Sequence, residues 1–372
     1  MKEEENKENK EDKEPKNNGN QYLALGLSMG MSFGLMFGAL LLDNIALGLC
    51  YGPAIGMGIA FLLKKANKGE EKVAGRVHNI HQCLYFCNMK KKVVKITEKT
   101  GLILEGGGMR GIFTIGVLDN FMDRGIHFPY IIGVSAGACS ALSYLSGQRG
   151  RAKYINTDLL KERNYISPWF LLTKRNIMDF DFLFHELPEK VSPYRYDVLA
   201  ASKERYEVVT TSCVTGKACY FEEKNDPKRV IDIVKASSSL PFVCPITFVD
   251  GEPMADGGVA DSIPLERALE LGYTNPLIVL TRNKGYRKPA KGSKVPFFMY
   301  RRYPKLKKAI RNRNSMYNKQ IELVERMEQE GSVDVIRPEC PIVVGRMERD
   351  TDKLLALYQE GYDLAAQIEF EM

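Results

Sequence analysis

Beyond residue 93 the chain alternates short apolar runs with longer stretches of helical periodicity. The apolar run 101–104 is followed by a glycine-rich loop and a helical pattern over 112–124. A second apolar run, 130–134, precedes a helix of small residues over 136–145. Strands that alternate with helices in this way predict an α/β fold with a parallel sheet covered by helices.

The same alternation continues towards the C-terminus, with one hairpin that turns at Asp250-Gly251. The hairpin spans 247–255. Further strands are predicted at 206–214, 218–222, 277–280 and near 341–344, and further helices at 228–235, 264–271, 315–330 and 351–369.

The N-terminal part carries a much longer apolar run, 22–63, with Asp43 as its single charge. Asp43 divides the run into 22–42 and 45–63, and each half is roughly 30 Å long as a helix, enough to cross a bilayer. Two transmembrane helices joined by a tight polar turn are therefore predicted. A buried glycine-rich hairpin in a water-soluble protein is the alternative.

Glycine recurs at every fourth position of both halves, so the glycines of each helix share one face. That spacing lets two helices approach closely in lipid, either within one hairpin or between chains of a homo-oligomer. The glycines concerned are Gly26, Gly30, Gly34 and Gly38 in the first half and Gly48, Gly52 and Gly56 in the second.

Lysine and arginine flank the apolar run on both sides but are absent from its central turn. Both ends are therefore expected to face the cytoplasm, which places the residues after 64 there in a multi-pass membrane protein. Residues 1–21 hold five Lys, six Glu and one Asp and almost no apolar side chain, so they are predicted to be disordered.

The net charge of +7 is unevenly distributed. The stretch 282–321 has 14 Lys and Arg and no acid, so the rest of the chain sums to 7 − 14 = −7. This stretch is expected to be either a solvated basic face or an interfacial element that meets anionic lipid head groups. Nucleic acid is not an expected partner, because no nucleic-acid motif accompanies the charges.

A possible metal-binding cluster, His78, His81, Cys83 and Cys87, lies in the predicted juxtamembrane linker 64–92. Offsets of 0, 3, 5 and 9 residues do not converge on one face of a helix, and the usual zinc spacing is missing. Neither a metal nor an organic cofactor is expected.

A candidate nucleophile lies between the second predicted strand and its helix. Ser135 is flanked by Gly133 and Gly137 in the pattern G-x-S-x-G. A serine at a sharp strand-to-helix turn exposes its hydroxyl, and the flanking glycines relieve the crowding that such a turn creates.

A run of glycines, Gly106, Gly107 and Gly108, stands between the first strand and its helix, followed by Arg110 and Gly111. Consecutive glycines can aim several amides at one point, which suits an oxyanion hole or a phosphate cradle. The usual nucleotide-binding motifs are missing, and the serine turn about 25 residues later favours the oxyanion hole.

The serine needs a base, and none of the four histidines lies in a setting that indicates a triad. A carboxylate at hydrogen-bonding distance can also activate a serine. The best candidate is Asp256, which ends a predicted strand and precedes Gly257 and Gly258, although an Asp-Gly-Gly sequence alone is more often a simple turn.

In this order, the segments 106–111, 133–137 and 256–258 closely resemble the motifs of the patatin-like phospholipases. Residues 236–241, Ala-Ser-Ser-Ser-Leu-Pro, are similar to an Ala-Ser-rich block of that family. The resemblance covers roughly 101–282, and a tail after Tyr303 resembles, with less motif support, the extension of one bacterial subgroup.

The resemblance implies a three-layer α/β/α fold and a dyad in which Ser135 is the nucleophile and Asp256 the base. It also implies that the amides of Gly107 and Gly108 supply the oxyanion hole and that Arg110 braces the loop. Glu105 stands where many relatives have Asp, a difference expected to be harmless.

These observations predict five regions: a disordered tail (1–21), a transmembrane hairpin (22–63), a linker (64–92), a catalytic domain (93–290) and a basic, helical extension (291–372). The expected function is hydrolysis of fatty-acyl esters of phospholipids or related lipids at a membrane. The alternatives are a transacylase or thioesterase with the same dyad, and a catalytically idle membrane scaffold.

Overall fold

The computed structural model describes residues 92–167, 169–170, 176–292 and 294–371. The strands in this part of the chain are β1 (Lys92–Lys95), β2 (Gly101–Leu104), β3 (Tyr130–Val134), β4 (Arg205–Ser212), β5 (Ala218–Glu222), β6 (Thr247–Val249), β7 (Glu252–Asp256), β8 (Leu277–Val279), β9 (Asp334–Ile336) and β10 (Ile368–Glu371). Eight of them form one sheet in the order β6-β7-β4-β3-β2-β8-β9, with β5 beside β4, and β1 and β10 form a separate parallel pair.

Nine α-helices lie in the described ranges, together with short 3-10 turns at Gly108–Gly111 and Gly257–Val259 and a π-helical segment at Phe182–Val191. The helices are α1 (Ile112–Asp123), α2 (Ala136–Leu145), α3 (Arg151–Asn156), α4 (Asp158–Glu162), α5 (Tyr196–Ala201), α6 (Pro227–Ser237), α7 (Leu265–Glu270), α8 (Pro304–Gln329) and α9 (Thr351–Ala366).

Two helices begin at aspartates that cap them. Asp226 accepts a hydrogen bond from Arg229 N, and Pro227 occupies the first turn of α6, where no amide donor is needed. Asp350 accepts from the amides of Asp352 and Lys353 at the start of α9. Local sequence thus fixes where α6 and α9 start.

The central strands are parallel, and the sheet turns antiparallel on one side. β2 pairs in parallel with β3 and β8, β3 with β4, and β8 with β9, whereas β5, β6 and β7 pair antiparallel. The α/β class and a mostly parallel centre are confirmed, in a sheet that is mixed as a whole.

Alternate side chains of β2 and β3 enter two separate hydrophobic clusters. Leu102, Leu104 and Ile131 pack with α1, α2, α6 and α9, whereas Ile103 and Ile132 pack with α7 and α8. Both faces of the sheet are therefore buried under helices, which gives three layers.

Helices α1 and α9 approach each other through glycines. A Cβ on Gly116 would overlap the carbonyl of Tyr358, and a Cβ on Gly361 would overlap the carbonyl of Phe113. This close approach packs the C-terminal helix α9 directly against α1, the helix that follows the glycine loop.

Several predicted elements in the C-terminal part were wrong in position. The strand lies at Asp334–Ile336 rather than near 341–344, because Pro338 and Pro341 lack amide donors whereas 334–336 pairs with β8. Helix α8 begins at Pro304, eleven residues before the predicted start, since Leu306 and Ile310 extend its buried face. The last residues, 368–371, form β10 against the unpredicted strand β1.

The predicted tail, hairpin and linker, and with them the candidate metal ligands from His78 to Cys87, lie outside the described residues. Across 92–371, apart from the gaps given above, no helix is both long and apolar enough to cross a membrane.

Candidate functional site

Ser135 occupies the sharp turn between β3 and α2. Its backbone has φ 53° and ψ −119°, a conformation that a residue with a side chain rarely adopts. A Cβ on Gly137 would lie 2.5 Å from the carbonyl of Leu104, so the turn packs against β2 only with glycine there. This is the strained strand-to-helix turn that the G-x-S-x-G pattern predicts.

Asp256 is the last residue of β7 and is buried, with 3% of its surface exposed. Its Oδ1 accepts a hydrogen bond of 2.8 Å from Gly258 N. The carboxylate is therefore held at the tight turn that Gly257 and Gly258 form.

The register of β4 brings Ser135 and Asp256 together. Strand β5 pairs with residues 207–211 of β4 and so occupies one edge of β4. Strand β3 pairs with 205–209 and β7 with 210–212. Because β5 already covers its own edge there, β3 and β7 must both lie along the other edge of β4. On that edge Val134 pairs with Val209 and Asp256 pairs with Thr210. The C-terminal ends of β3 and β7 therefore meet, and both candidate residues line one cavity.

The glycine loop forms another wall of this cavity. A Cβ on Gly106 would lie 3.2 Å from Ser135 Cβ, which places the loop beside the serine. Glu105 N donates to Val279 O and Met109 N donates to Arg346 O, whereas the amides of Gly106, Gly107 and Gly108 donate to no acceptor in the described part of the chain. Three free amides next to a serine suit an oxyanion hole.

Apolar side chains from α1, α3, α6 and the segment 178–187 line much of the remaining cavity. They include Ile112, Ile115, Ile155, Phe180, Leu183, Phe184, Leu187, Ile231 and Val234. Such a wall can take up the hydrocarbon part of a ligand.

The patatin-like phospholipase family matches residues 102–269. The chain carries a patatin-like phospholipase domain. Domains of this family are typically lipid acyl hydrolases. A second match, to a domain of unknown function called DUF6363, covers residues 303–369, which include α8, β9 and α9.

Curated relatives of the patatin-like domain are uncharacterised. An uncharacterised Escherichia coli protein, YjjU, is 29% identical over 49% of this chain and 52% of its own length. The uncharacterised NTE family protein Mb1092c of Mycobacterium bovis is 25% identical over 45% of each chain. The chain thus spans about half the length of the curated relatives it matches. The crystal structure of VipD from Legionella pneumophila aligns over 76% of this chain and 70% of that chain, at 15% identity and a TM-score of 0.37.

The Ala-Ser-rich block of the patatin-like domain has a structural role that the sequence alone did not reveal. Ser237 Oγ accepts from Ser135 N at 2.8 Å and donates to Val209 O at 2.6 Å. Two residues on, Ser239 O accepts from Asp256 N at 2.9 Å. The end of α6 therefore tethers the backbones of both Ser135 and Asp256.

Neither histidine of the described part lies at the cavity. His127 contacts Glu204, at 2.8 Å, and His185 contacts Lys235, at 3.0 Å, both on the surface. Two cysteines do line the cavity, but burial raises the pKa of the Cys244 thiol to about 12 and also raises that of Cys139. A neutral thiol is a poor nucleophile, so Ser135 is the best-placed nucleophile in the described cavity wall.

Arg110, expected to brace the glycine loop, is 5% exposed, and its Nε has no hydrogen-bond partner. Burial, together with the charges of Arg282 and Arg346, lowers its pKa to about 10. The Glu105 carboxylate accepts hydrogen bonds from the amide and hydroxyl of Thr281, at 2.6 and 3.0 Å. It therefore connects the glycine loop to the end of β8.

Within the described residues, no group of three or more Cys, His, Asp or Glu side chains could hold a metal ion. The arrangement of one strained serine, one buried carboxylate and three free amides can instead carry out nucleophilic acyl transfer.

Proposed function

We propose that this protein is a serine acyl hydrolase that cleaves fatty-acyl esters of phospholipids or related lipids. Ser135 is the nucleophile and Asp256 the proton acceptor. The observation that carries the proposal is the meeting of β3 and β7 on one edge of β4, which brings both residues to a cavity with an apolar wall.

In the first half of the proposed reaction, the Ser135 hydroxyl gives its proton to Asp256 as Oγ attacks the ester carbonyl. The carbonyl oxygen becomes an oxyanion, which the amides of Gly106 to Gly108 stabilise by hydrogen bonds. The ester bond then breaks, and the leaving alcohol takes the proton from Asp256, so an acyl-enzyme remains on Ser135.

In the second half, water attacks the acyl-enzyme and gives a proton to Asp256. Collapse of the second tetrahedral intermediate releases the fatty acid, and the proton returns to Ser135 Oγ. The described structure holds no hydrogen bond between Ser135 Oγ and Asp256. Such catalytic contacts are often long without substrate and shorten when it binds.

The direct test compares hydrolysis of a phospholipid and of p-nitrophenyl butyrate by the purified full chain and its Ser135→Ala variant. The expected loss in kcat is at least about 1,000-fold, because the nucleophile is removed. Ser202→Ala is the matched control: its hydroxyl donates to Leu199 O and lies outside the cavity wall. Retained hydrolysis by Ser135→Ala would refute the assignment.

The transacylase and thioesterase alternatives use the same dyad and differ in the group that ends the reaction. Adding a glycerol acceptor or replacing the ester by a matched acyl thioester separates them by product analysis. A hydrolase releases mainly free fatty acid from the ester, whereas a transacylase transfers the acyl group to the acceptor.

We also propose that the apolar run 22–63 anchors the protein in a membrane with the catalytic part in the cytoplasm. Its support is the sequence alone: 42 residues with one charge, flanked by lysine and arginine on both sides. The glycine spacing also supports helix pairing within or between chains. Carbonate extraction of membranes tests the anchor, because an integral protein stays in the pellet and a peripheral one enters the supernatant.

A further inference from the structure

Besides Arg151, which donates to Ser192 O at 2.6 Å, five basic side chains line the cavity that holds the proposed catalytic residues. They come from four different segments: the turn after the glycine loop, the stretch after β8, helix α8 and the loop before α9. This cationic cluster consists of Arg110, Arg282, Lys288, Arg313 and Arg346. Most of its members lie beyond the segment 102–269 that matches the patatin-like family.

The cluster is not neutralised by nearby acids. Only Glu105 and Asp256 are acidic in the described cavity wall, so with Arg151 included the wall carries 6 − 2 = +4 formal charges. Glu105 is already bound to Thr281, and Asp256 accepts from Gly258. No ion pair within 4 Å involves a member of the cluster in the described part of the chain, whereas the partly buried Arg267 pairs with Glu207 at 2.7 Å.

Two members have donors that the protein leaves unused. The Nε atoms of Arg110 and Arg282 are buried without a hydrogen-bond partner, and Arg110 is 95% buried. Buried guanidinium groups normally find acceptors, because an unpaired one loses its hydration without compensation. Acceptors supplied by a bound ligand would satisfy them.

The members also repel each other. Burial and the charges of Arg313, Arg346 and Arg110 lower the pKa of Lys288 to about 6, although Glu105 opposes the shift. The Lys288 ammonium lies 3.5 Å from the centre of the Tyr317 ring, and Arg313 Nε donates to Gly258 O at 2.7 Å, next to the Asp256 turn. The repulsion is therefore concentrated beside the proposed dyad.

We infer that the cationic cluster binds a phosphate group, and that this phosphate belongs to the head group of the acyl-ester substrate. Arginine forks and a lysine provide several charge-assisted donors that match phosphate oxygens. The identification of the phosphate as part of the substrate rests on the proposed function, whereas the anion site itself does not.

The uncompensated charge also sets a preference among head groups. A terminal phosphate monoester carries up to two negative charges and can reach the cluster with nothing beyond it. A choline head group would bring its own positive charge towards the same cations. We therefore expect acyl esters that end in a phosphate monoester to be preferred over zwitterionic ones.

The anion site is tested without catalysis, on full-length Ser135→Ala protein. Inorganic phosphate is titrated by calorimetry, with sodium chloride at matched ionic strength as the blank. Adding Arg282→Gln is expected to weaken phosphate binding about tenfold, since it removes one charge-assisted contact. Arg311→Gln, on the exposed side of α8 and outside the cavity wall, is the matched control and is expected to bind as before. Equal phosphate binding by the Arg282→Gln and Arg311→Gln proteins, or no binding by either, overturns the anion site.

The source of the phosphate is tested with the active protein and three oleoyl esters: lysophosphatidic acid, lysophosphatidylcholine and monooleoylglycerol. We expect kcat/KM to be at least about tenfold higher for lysophosphatidic acid than for the other two, and this ratio to fall in Arg282→Gln. Equal kcat/KM values for an active enzyme that binds phosphate would show that free phosphate is the ligand and overturn the head-group assignment. If none of the esters is hydrolysed, the proposed function fails, while the phosphate titration still decides the anion site.

Discussion

Ser135 and its neighbours hold a backbone conformation that must be maintained by surrounding contacts. The positive φ at Ser135 carries strain, and the hydrogen bond from its amide to Ser237 Oγ fixes the turn from outside. Ser237 is not part of the described cavity wall and reaches Ser135 through its backbone amide, so we regard it as a positioning residue.

Ser237→Ala is expected to lower kcat about 10- to 100-fold with little change in KM, because the nucleophile loses its fixed orientation. It should also cost about 1–3 kcal/mol in the free energy of unfolding, since two buried backbone groups lose a partner. Ser146→Ala is the control, as Ser146 is equally buried and donates to Leu142 O away from the cavity. A similar loss of kcat in both variants would show that Ser237 acts only on stability.

Asp256→Asn is expected to keep the fold, because the amide oxygen can still accept from Gly258 N. It removes the proton acceptor, so kcat should fall about 100- to 10,000-fold. Asp250→Asn serves as the control, because Asp250 lies in the exposed turn of the same β6–β7 hairpin. Unchanged kinetics in Asp256→Asn would exclude this carboxylate as the base.

At the scale of elements, the order of strands and helices around Ser135 could be predicted from the sequence, because short apolar runs and glycine loops are local signals. The arrangement of β3, β5 and β7 along the two edges of β4 could not be predicted, since the sequence of a strand does not determine which other strands pair with each of its edges. The contribution of Ser237 was hidden for the same reason: it contacts Ser135 across 102 positions of the chain.

The positions of the side chains in the basic stretch 282–321 could likewise not be predicted from the sequence. Its 14 charges suggest a single surface element, but Arg282, Lys288 and Arg313 line the cavity, while Phe297 and Phe298 are exposed. Composition alone does not show which side chains of a helix or loop face the interior. That the exposed residues around Phe297 and Phe298 meet anionic lipid head groups stays a prediction.

The contact between α1 and α9 gives a prediction at this scale. Gly361→Ala is expected to destabilise the protein by about 3 kcal/mol, because the new methyl group would overlap the carbonyl of Phe113 and force the helices apart. Gly345→Ala places a methyl group in open space and should be nearly neutral. Thermal unfolding of both variants checks the difference, and equal midpoints would contradict this packing.

For the whole molecule, part of the net charge of +7 lies in the cavity, where burial and neighbouring cations disfavour the charged form of Lys288. Lys288 has a pKa of about 6 in the folded state, against about 10.5 in the unfolded chain. Between these values the unfolded state binds a proton that the folded state does not, so this lysine penalises folding fully below about pH 6 and progressively less up to about pH 10.

Lys288→Met should therefore raise the midpoint of thermal unfolding relative to the wild type, most at pH 6 and least at pH 10. The exposed Lys308→Met is the control and should show no such trend. A difference between wild type and Lys288→Met that grows with pH would contradict the depressed pKa. Adding phosphate should reduce the difference at pH 7, because the bound anion favours the charged lysine.

The proposed function requires Ser135 to be an activated nucleophile. The most direct measurement is labelling of the purified full-length protein with a serine-directed fluorophosphonate, followed by mass spectrometry of the modified peptide. We expect one adduct, on Ser135, which should be absent from Ser135→Ala and form much more slowly in Asp256→Asn. No adduct on Ser135 under conditions that label a reference serine hydrolase, or equal labelling of Ser135→Ala, would contradict the proposed role of Ser135.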